Sequence, residues 1–185
     1  MTVGVTVMGA TLWLTGLPSS GKTTLARALA ERLLAVDGRR VEILDGDEMR
    51  AELCADLGFS KEDRSANVRR VAFVARLLAS HGVTVLVPVI APYAVDRAEA
   101  ARHAKRGLRF LEVHVAASLD VCRARDVKGL YASQAAGRIS GLTGVDDPYE
   151  APVSPDLVID TGARSVTESV ELLLDLLNLP DSSTR

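Results

Sequence analysis

Eight residues, Gly16-Leu17-Pro18-Ser19-Ser20-Gly21-Lys22-Thr23, fit the pattern G-x-x-x-x-G-K-[ST], and that pattern functions only as the turn between a buried strand and a helix. Both flanks are present. Thr11-Leu12-Trp13-Leu14-Thr15 is an apolar run of strand length, and Thr24-Leu25-Ala26-Arg27-Ala28-Leu29 begins a helix. Gly16 and Gly21 let the backbone curl so that successive N–H groups point into one concavity. The helix N-terminus adds its partial positive charge there, so phosphate oxygens are held by the main chain. In this reading Gly16 to Thr24 cradles the phosphates of a nucleotide triphosphate, Lys22 reaches the β- and γ-phosphates, and the Thr23 hydroxyl ligates magnesium.

The chain has 185 residues, 48% of them hydrophobic, enough for one well-filled core and most economically a single domain spanning 1–185. A net charge of -2 argues against a nucleic-acid partner and favours a small anionic substrate. The two cysteines, Cys54 and Cys122, have no C-x-x-C spacing and no histidine cluster beside them. They read as ordinary semi-buried thiols of a cytoplasmic protein rather than as a disulfide or a zinc site. Met1 to Leu14 lacks a basic leader and a cleavage signal, so it reads as a short tail plus the first strand. No apolar run reaches about 20 residues, so no membrane span is expected. His81, His103 and His114 are too widely spaced for a metal site, and Trp13 is expected in the core.

Strands and helices alternate along the chain. A helix is expected over Lys22–Val36, ended by Asp37-Gly38, then a strand at Val41–Leu44 that brings Asp45-Gly46-Asp47 to the edge of the phosphate loop. Ser60–Ser80 reads as a helix with Val68, Val71, Ala75 and Leu78 on one face. Val83–Ile90 is a strand buried on both sides with Pro88 at its fraying end. Further elements are expected at Val95–Lys105 (helix), Arg109–Val115 (strand), Ser118 to about Arg125 (helix) and Leu157–Ile159 (strand). The last helix opens on a capping box, Ser165 and Glu168. The alternation predicts an α/β fold, a doubly wound parallel sheet of five strands. Between Val127 and Pro155, glycine, aspartate and proline replace periodicity, and so long a connection predicts a lid over a site. The tail Asp181–Arg185 is expected to fray.

Several runs carry a resemblance: Asp45-Gly46-Asp47, Gly58-Phe59-Ser60, Asp63-Arg64, Asn67-Val68-Arg69-Arg70, Ala124 to Tyr131 and Gly141 to Pro152. Together they resemble the adenylylsulfate kinase family over roughly Thr11–Thr161. The resemblance implies transfer of the ATP γ-phosphate to the ribose 3′-hydroxyl of adenosine 5′-phosphosulfate (APS), with magnesium as cofactor. It also implies a homodimer and a separate ATP sulfurylase upstream. Phosphoryl transfer is achieved mainly by aligning donor and acceptor while neutralising charge. Asp45 is expected to join Thr23 at the metal, Asp47 to take or orient the 3′-hydroxyl proton, and Lys22 to hold the moving phosphoryl group. The alternative for the two aspartates is a turn with helix-capping carboxylates. By the same resemblance Arg50, Arg64 and Asn67 bind the acceptor, Phe59 stacks on its adenine, and Ile90, Lys128, Gly129, Leu130 and Leu142 complete that site. Arg125 serves the nucleotide side.

Two positions depart from the family pattern. Val89-Ile90-Ala91-Pro92-Tyr93 carries alanine where the family has serine, so no phosphoserine forms there, and Leu142 replaces a lid phenylalanine. These leave open a phosphate-loop kinase of another small hydroxyl acceptor. A nucleotide-binding regulator without catalysis is the alternative of a different class.

Overall fold

The central strand β1 (Ala10–Thr15) is buried at every residue, and its alternation divides the molecule. Leu12 and Leu14 belong to one apolar cluster while Trp13 belongs to the other. In the computed structural model, which describes residues 9–102 and 107–178, β1 pairs in parallel with β3 (Thr84–Pro88) and β4 (Arg109–Ala116). The edges are β2 (Val41–Ile43) and β5 (Leu157–Asp160), giving the order β2-β3-β1-β4-β5, parallel throughout. This is the doubly wound five-stranded sheet that the alternation predicts.

Helices cover both faces, as a parallel sheet requires. On one face, α1 (Lys22–Asp37) and α7 (Val166–Asn178) place Leu25, Leu29, Leu33, Val170 and Leu173 against Leu12, Leu14, Val113 and Ile159. On the other, α3 (Lys61–Ala79) and α4 (Ala94–Arg102) bring Val68, Val71, Ala75 and Ala100 onto Trp13, Val85 and Val87. Each valine, leucine or isoleucine among them, removed from water, contributes about 1.5–3 kcal/mol. Gly38 ends α1 in the left-handed region, Ser118 caps α5 (Leu119–Arg125), and Ser165 and Glu168 exchange hydrogen bonds at the start of α7; Ser60, in addition, accepts from the Asp63 amide and caps α3.

Two helices lie where the residue pattern has no periodicity. Asp45-Gly46-Asp47 opens α2 (Gly46–Glu52), and α6 (Leu130–Ala135) lies inside the glycine-rich stretch 127–155. Both are one to two turns long, too short for an apolar stripe, and are held by tertiary contacts. β3 ends at Pro88, two residues before the expected Ile90, although the Val89 amide still bonds to the Leu14 carbonyl. His103, the expected end of α4 at Lys105, Met1–Met8 and the tail from 179 lie outside the described residues. Among the described residues no helix is long and apolar enough to cross a membrane. Cys54 and Cys122 are buried and unpaired.

Candidate active site

The carboxyl ends of β1, β2 and β3 and the N-termini of α1 and α2 converge on one cleft of about 940 Å³. That lies at the upper end of the roughly 300–1,000 Å³ usual for small-molecule sites, room for two nucleotide-sized ligands. The phosphate loop forms its floor. A Cβ on Gly16 would lie 2.4 Å from the Val115 carbonyl oxygen, so only glycine lets the loop leave β1 beside β4. Gly21, at φ 99°, turns the chain into α1.

Lys22 is buried at the start of α1, and its ammonium donates to the carbonyls of Gly16 (2.9 Å) and Leu17 (2.7 Å) and to the Ser20 hydroxyl (3.4 Å). Burial pushes its pKa down to about 7, with nearby Lys128 acting in the same direction and Asp45 opposing. The Thr23 hydroxyl donates to Asp45 Oδ2 at 2.8 Å, while Asp45 Oδ1 accepts from the Asp47 amide at 2.9 Å. One Asp45 oxygen thus caps α2, and the other faces the phosphate loop through Thr23. This hydroxyl and carboxylate, hard oxygens at the mouth of a phosphate loop, suit magnesium that keeps most of its ligands as water and phosphate oxygens.

Asp47, in the first turn of α2, forms an ion pair with Lys128 from the far wall, 81 residues away. Arg50 donates to the Gly58 carbonyl and lies 4.6 Å from the centroid of Phe59, which is 66% exposed at the rim. Asn67 lines the cleft with an exposure of only 8%, and its Oδ1 is buried without a hydrogen-bond partner. A buried acceptor of this kind is satisfied by a donor on a ligand.

Arg64 has a different placement from the one expected of an anion-binding side chain. It is buried, and its guanidinium donates to the Phe59 carbonyl (3.0 Å), the Thr143 hydroxyl (3.0 Å) and the Gly141 carbonyl (2.6 Å), with Asp147 at 3.3 Å. It ties the stretch 141–147 to α3. Gly141 to Thr143 line the cleft, and the segment from Asp126 onward is fixed at other points too. The Tyr131 hydroxyl donates to the Pro18 carbonyl at 3.0 Å, kept protonated because burial raises its pKa. A Cβ on Gly144, at φ 87°, would lie 2.4 Å from Leu17, so lid and phosphate loop are in direct contact. Asp126 caps α6 through the amides of Tyr131 and Ala132. Leu142 is 7% exposed, packed with Cys122 and Tyr131 in a small third cluster and meeting the cleft with its remaining surface.

Of the residues expected to bind, Pro18, Ser19, Gly21, Lys22, Thr23, Thr24, Asp45, Asp47, Arg50, Phe59, Arg64, Asn67, Ile90, Arg125, Lys128, Leu130 and Leu142 line the cleft. Gly16, Leu17 and Ser20 support Lys22 from beneath. Gly129, at φ 64°, is the turn into α6. Sequence reasoning missed Thr161, Arg164, Ser165, Val166 and Ser169, which form the opposite wall beyond β5. The Thr161 hydroxyl donates to the Ser20 carbonyl at 2.7 Å, and Arg125 donates to both Thr161 Oγ1 (3.0 Å) and Ser20 O (3.4 Å). Their position at the carboxyl end of a parallel strand was the available signal.

Comparison with known proteins agrees with this geometry. The family model described as adenylylsulphate kinase matches residues 8–160. A probable adenylyl-sulfate kinase of Synechocystis is 52% identical over 162 residues, 88% of this chain and 89% of that protein. An adenylyl-sulfate kinase of Chloroflexus aurantiacus is 51% identical over 180 residues, 97% and 95% of the two chains. The solved structure of the Mycobacterium tuberculosis APS kinase CysC, in complex with AMPPNP and APS, superposes with a TM-score of 0.88 at 46% identity. It covers 93% of this chain and 99% of that one. With the phosphate loop, the paired aspartates and the lid brought to one cleft, and with likeness along nearly its whole length, the chain belongs to the adenylylsulphate kinase family.

Proposed function

We propose that this ATP-dependent kinase transfers the ATP γ-phosphoryl group to the ribose 3′-hydroxyl of APS, giving ADP and 3′-phosphoadenosine 5′-phosphosulfate. One observation carries the reading: a single cleft joins the phosphate loop to a second wall that holds Asp47, Phe59 and the unpartnered Asn67 Oδ1. ATP binds with its triphosphate on Gly16 to Thr24 and with Arg125 and Thr161 beside it. The acceptor lies against Arg50, Phe59, Asn67, Ile90 and the lid residues Lys128, Gly129, Leu130 and Leu142. Arg64 serves this wall by fixing Gly141 and Thr143 rather than by offering a free fork.

Asp47 accepts the 3′-hydroxyl proton as that oxygen bonds to the γ-phosphorus, and the bond to the β,γ-bridging oxygen breaks to release ADP. Lys22 neutralises charge on the moving group, and Lys128 leaves Asp47 to meet the acceptor's anion. Thr23 and Asp45 are the residues that would hold magnesium, which would supply charge neutralisation on the phosphates. The stretch 127–155 acts as a lid that excludes water and so protects the donor from hydrolysis. The setting we propose is the cytoplasm, with assembly as a homodimer and a separate sulfurylase supplying the acceptor.

The test is ADP release from ATP and magnesium with and without APS, with the nucleotide product identified by mass and its phosphate position by NMR. Acceptor-dependent ADP with one phosphate added at the ribose 3′ position is the expected result. ATP binding without acceptor-dependent turnover would refute the reading.

A further inference from the structure

Arg97 is the most enclosed charged side chain near the cleft, 3% exposed, yet none of its atoms lines it. It projects from α4, and its three nitrogens are bonded to three separate segments. Nε donates to Glu112 Oε1 on β4 (2.8 Å), Nη1 to the Ala91 carbonyl (2.7 Å), and Nη2 to the Glu150 carbonyl (2.6 Å). The planar fork satisfies two carbonyls that belong to different walls of the site. Ala91 lies in the stretch Pro88–Pro92 that forms the acceptor wall, and Glu150 closes the lid segment.

Both carbonyls belong to segments that need holding. Ala91 has φ 44°, a left-handed conformation that costs an alanine and that neighbouring contacts must sustain. Glu150 is fastened back onto the same wall, its amide donating to the Pro92 carbonyl (2.9 Å) and its carboxylate accepting from the Ala94 amide (2.6 Å). The Arg97 guanidinium also lies 5.9 Å from the ring centroid of Tyr149. The Tyr149 hydroxyl pairs with the hydroxyl of Thr15 (3.1 Å), the residue just before the phosphate loop, and the Thr15 hydroxyl donates to the Ile90 carbonyl (2.6 Å). Wall and lid end thus share one buried guanidinium, and Tyr149 links them to the end of β1.

We infer that Arg97 is a positioning residue for the acceptor half of the site: it holds Ala91 in its left-handed conformation and locks the lid's end at Glu150 to the wall the acceptor touches. The inference rests on the proposed reaction for its kinetic arm only. Arg97→Lys is the informative variant, because lysine keeps a cation for Glu112 but cannot span two carbonyls. In this variant, hydrogen exchange at the Ala94 and Glu150 amides should accelerate together by about tenfold or more, with α1 amides unchanged. The acceptor KM should rise on the order of tenfold to a hundredfold while the ATP Kd stays within about twofold. Adding Ala91→Gly should recover part of that acceptor KM, because glycine adopts the left-handed region unaided.

Unchanged exchange, or equal losses for ATP and acceptor, would overturn the inference and leave Arg97 as general fold support. Exchange is measured without acceptor, so it answers even if the wild-type enzyme makes no acceptor-dependent ADP, which would refute the proposed reaction instead. Should Arg97→Lys not fold, Glu112→Gln removes the ion pair and leaves both carbonyl contacts. An acceptor KM within about twofold of wild type is then expected, and a tenfold rise would overturn the inference.

Discussion

The burial of Lys22 predicts that nucleotide binding is coupled to proton uptake. Its ammonium is enclosed by the carbonyls of Gly16 and Leu17 and the Ser20 hydroxyl, and burial lowers its pKa from 10.5 to about 7. At pH 8 about nine-tenths of the free enzyme then carries a neutral Lys22. A polyphosphate on the loop restores the charge, so binding at pH 8 takes up about 0.9 proton, and affinity falls by up to about tenfold per pH unit above 7. The same shift acts on stability. The unfolded chain holds more protons than the folded one between about pH 7 and 10.5, so this group's contribution to unfolding free energy rises with pH across that window and is least favourable below it. Titration calorimetry of AMPPNP at pH 8, in buffers of different ionisation enthalpy, reads the proton count directly. At that pH the γ-phosphate is itself mostly ionised, and Lys22→Met should abolish the uptake. No proton uptake, with affinity flat from pH 7 to 9, would show that the loop carbonyls keep Lys22 charged, and the burial argument would be wrong.

Asp47→Asn should lower kcat by on the order of a hundredfold or more and leave ATP affinity nearly unchanged, because the carboxylate pairs with Lys128 rather than with a phosphate-loop residue; an equal loss in both would make it a structural residue. Arg64→Ala removes a buried guanidinium that satisfies Gly141, Thr143 and Phe59 and faces Asp147. It should cost about 3–5 kcal/mol and lower Tm by about 6–20 °C in calorimetry, whereas a shift under about 2 °C would mean that solvent replaces these bonds. Leu142→Phe forces extra volume beside Cys122 and Tyr131, so melting should show a loss of about 1–3 kcal/mol without tighter acceptor binding; a stabilised variant with a lower acceptor Kd would place the ring in the cleft. Gly144→Ala, built against Leu17 at positive φ, should weaken lid and ATP binding together, read as a raised ATP Kd and a lower Tm.

The sequence alone determined the sheet and the phosphate half of the site. β1, the loop and α1 are contiguous, and an apolar strand, two glycines and a lysine encode their own geometry. Asp45 and Asp47 were legible for the same reason, following a short strand in a parallel sheet whose carboxyl ends must meet. Helices α2 and α6 were not legible, since one or two turns carry no periodic stripe and are stabilised by caps and contacts supplied elsewhere. Only the tertiary structure decided what Arg64 and Arg97 do. An arginine in a sequence is compatible with solvent, anion or carbonyl partners, and the choice depends on which backbone carbonyls, here 5 to 77 residues away, are left unsatisfied beside it. The same holds for Leu142, whose burial depends on Cys122 and Tyr131, and for the Thr161 wall, which joins the cleft because β5 is parallel to β4 and ends at the same edge. Patterns close in sequence are fixed by local physics, whereas partners distant in sequence are set by where the fold leaves polar groups buried.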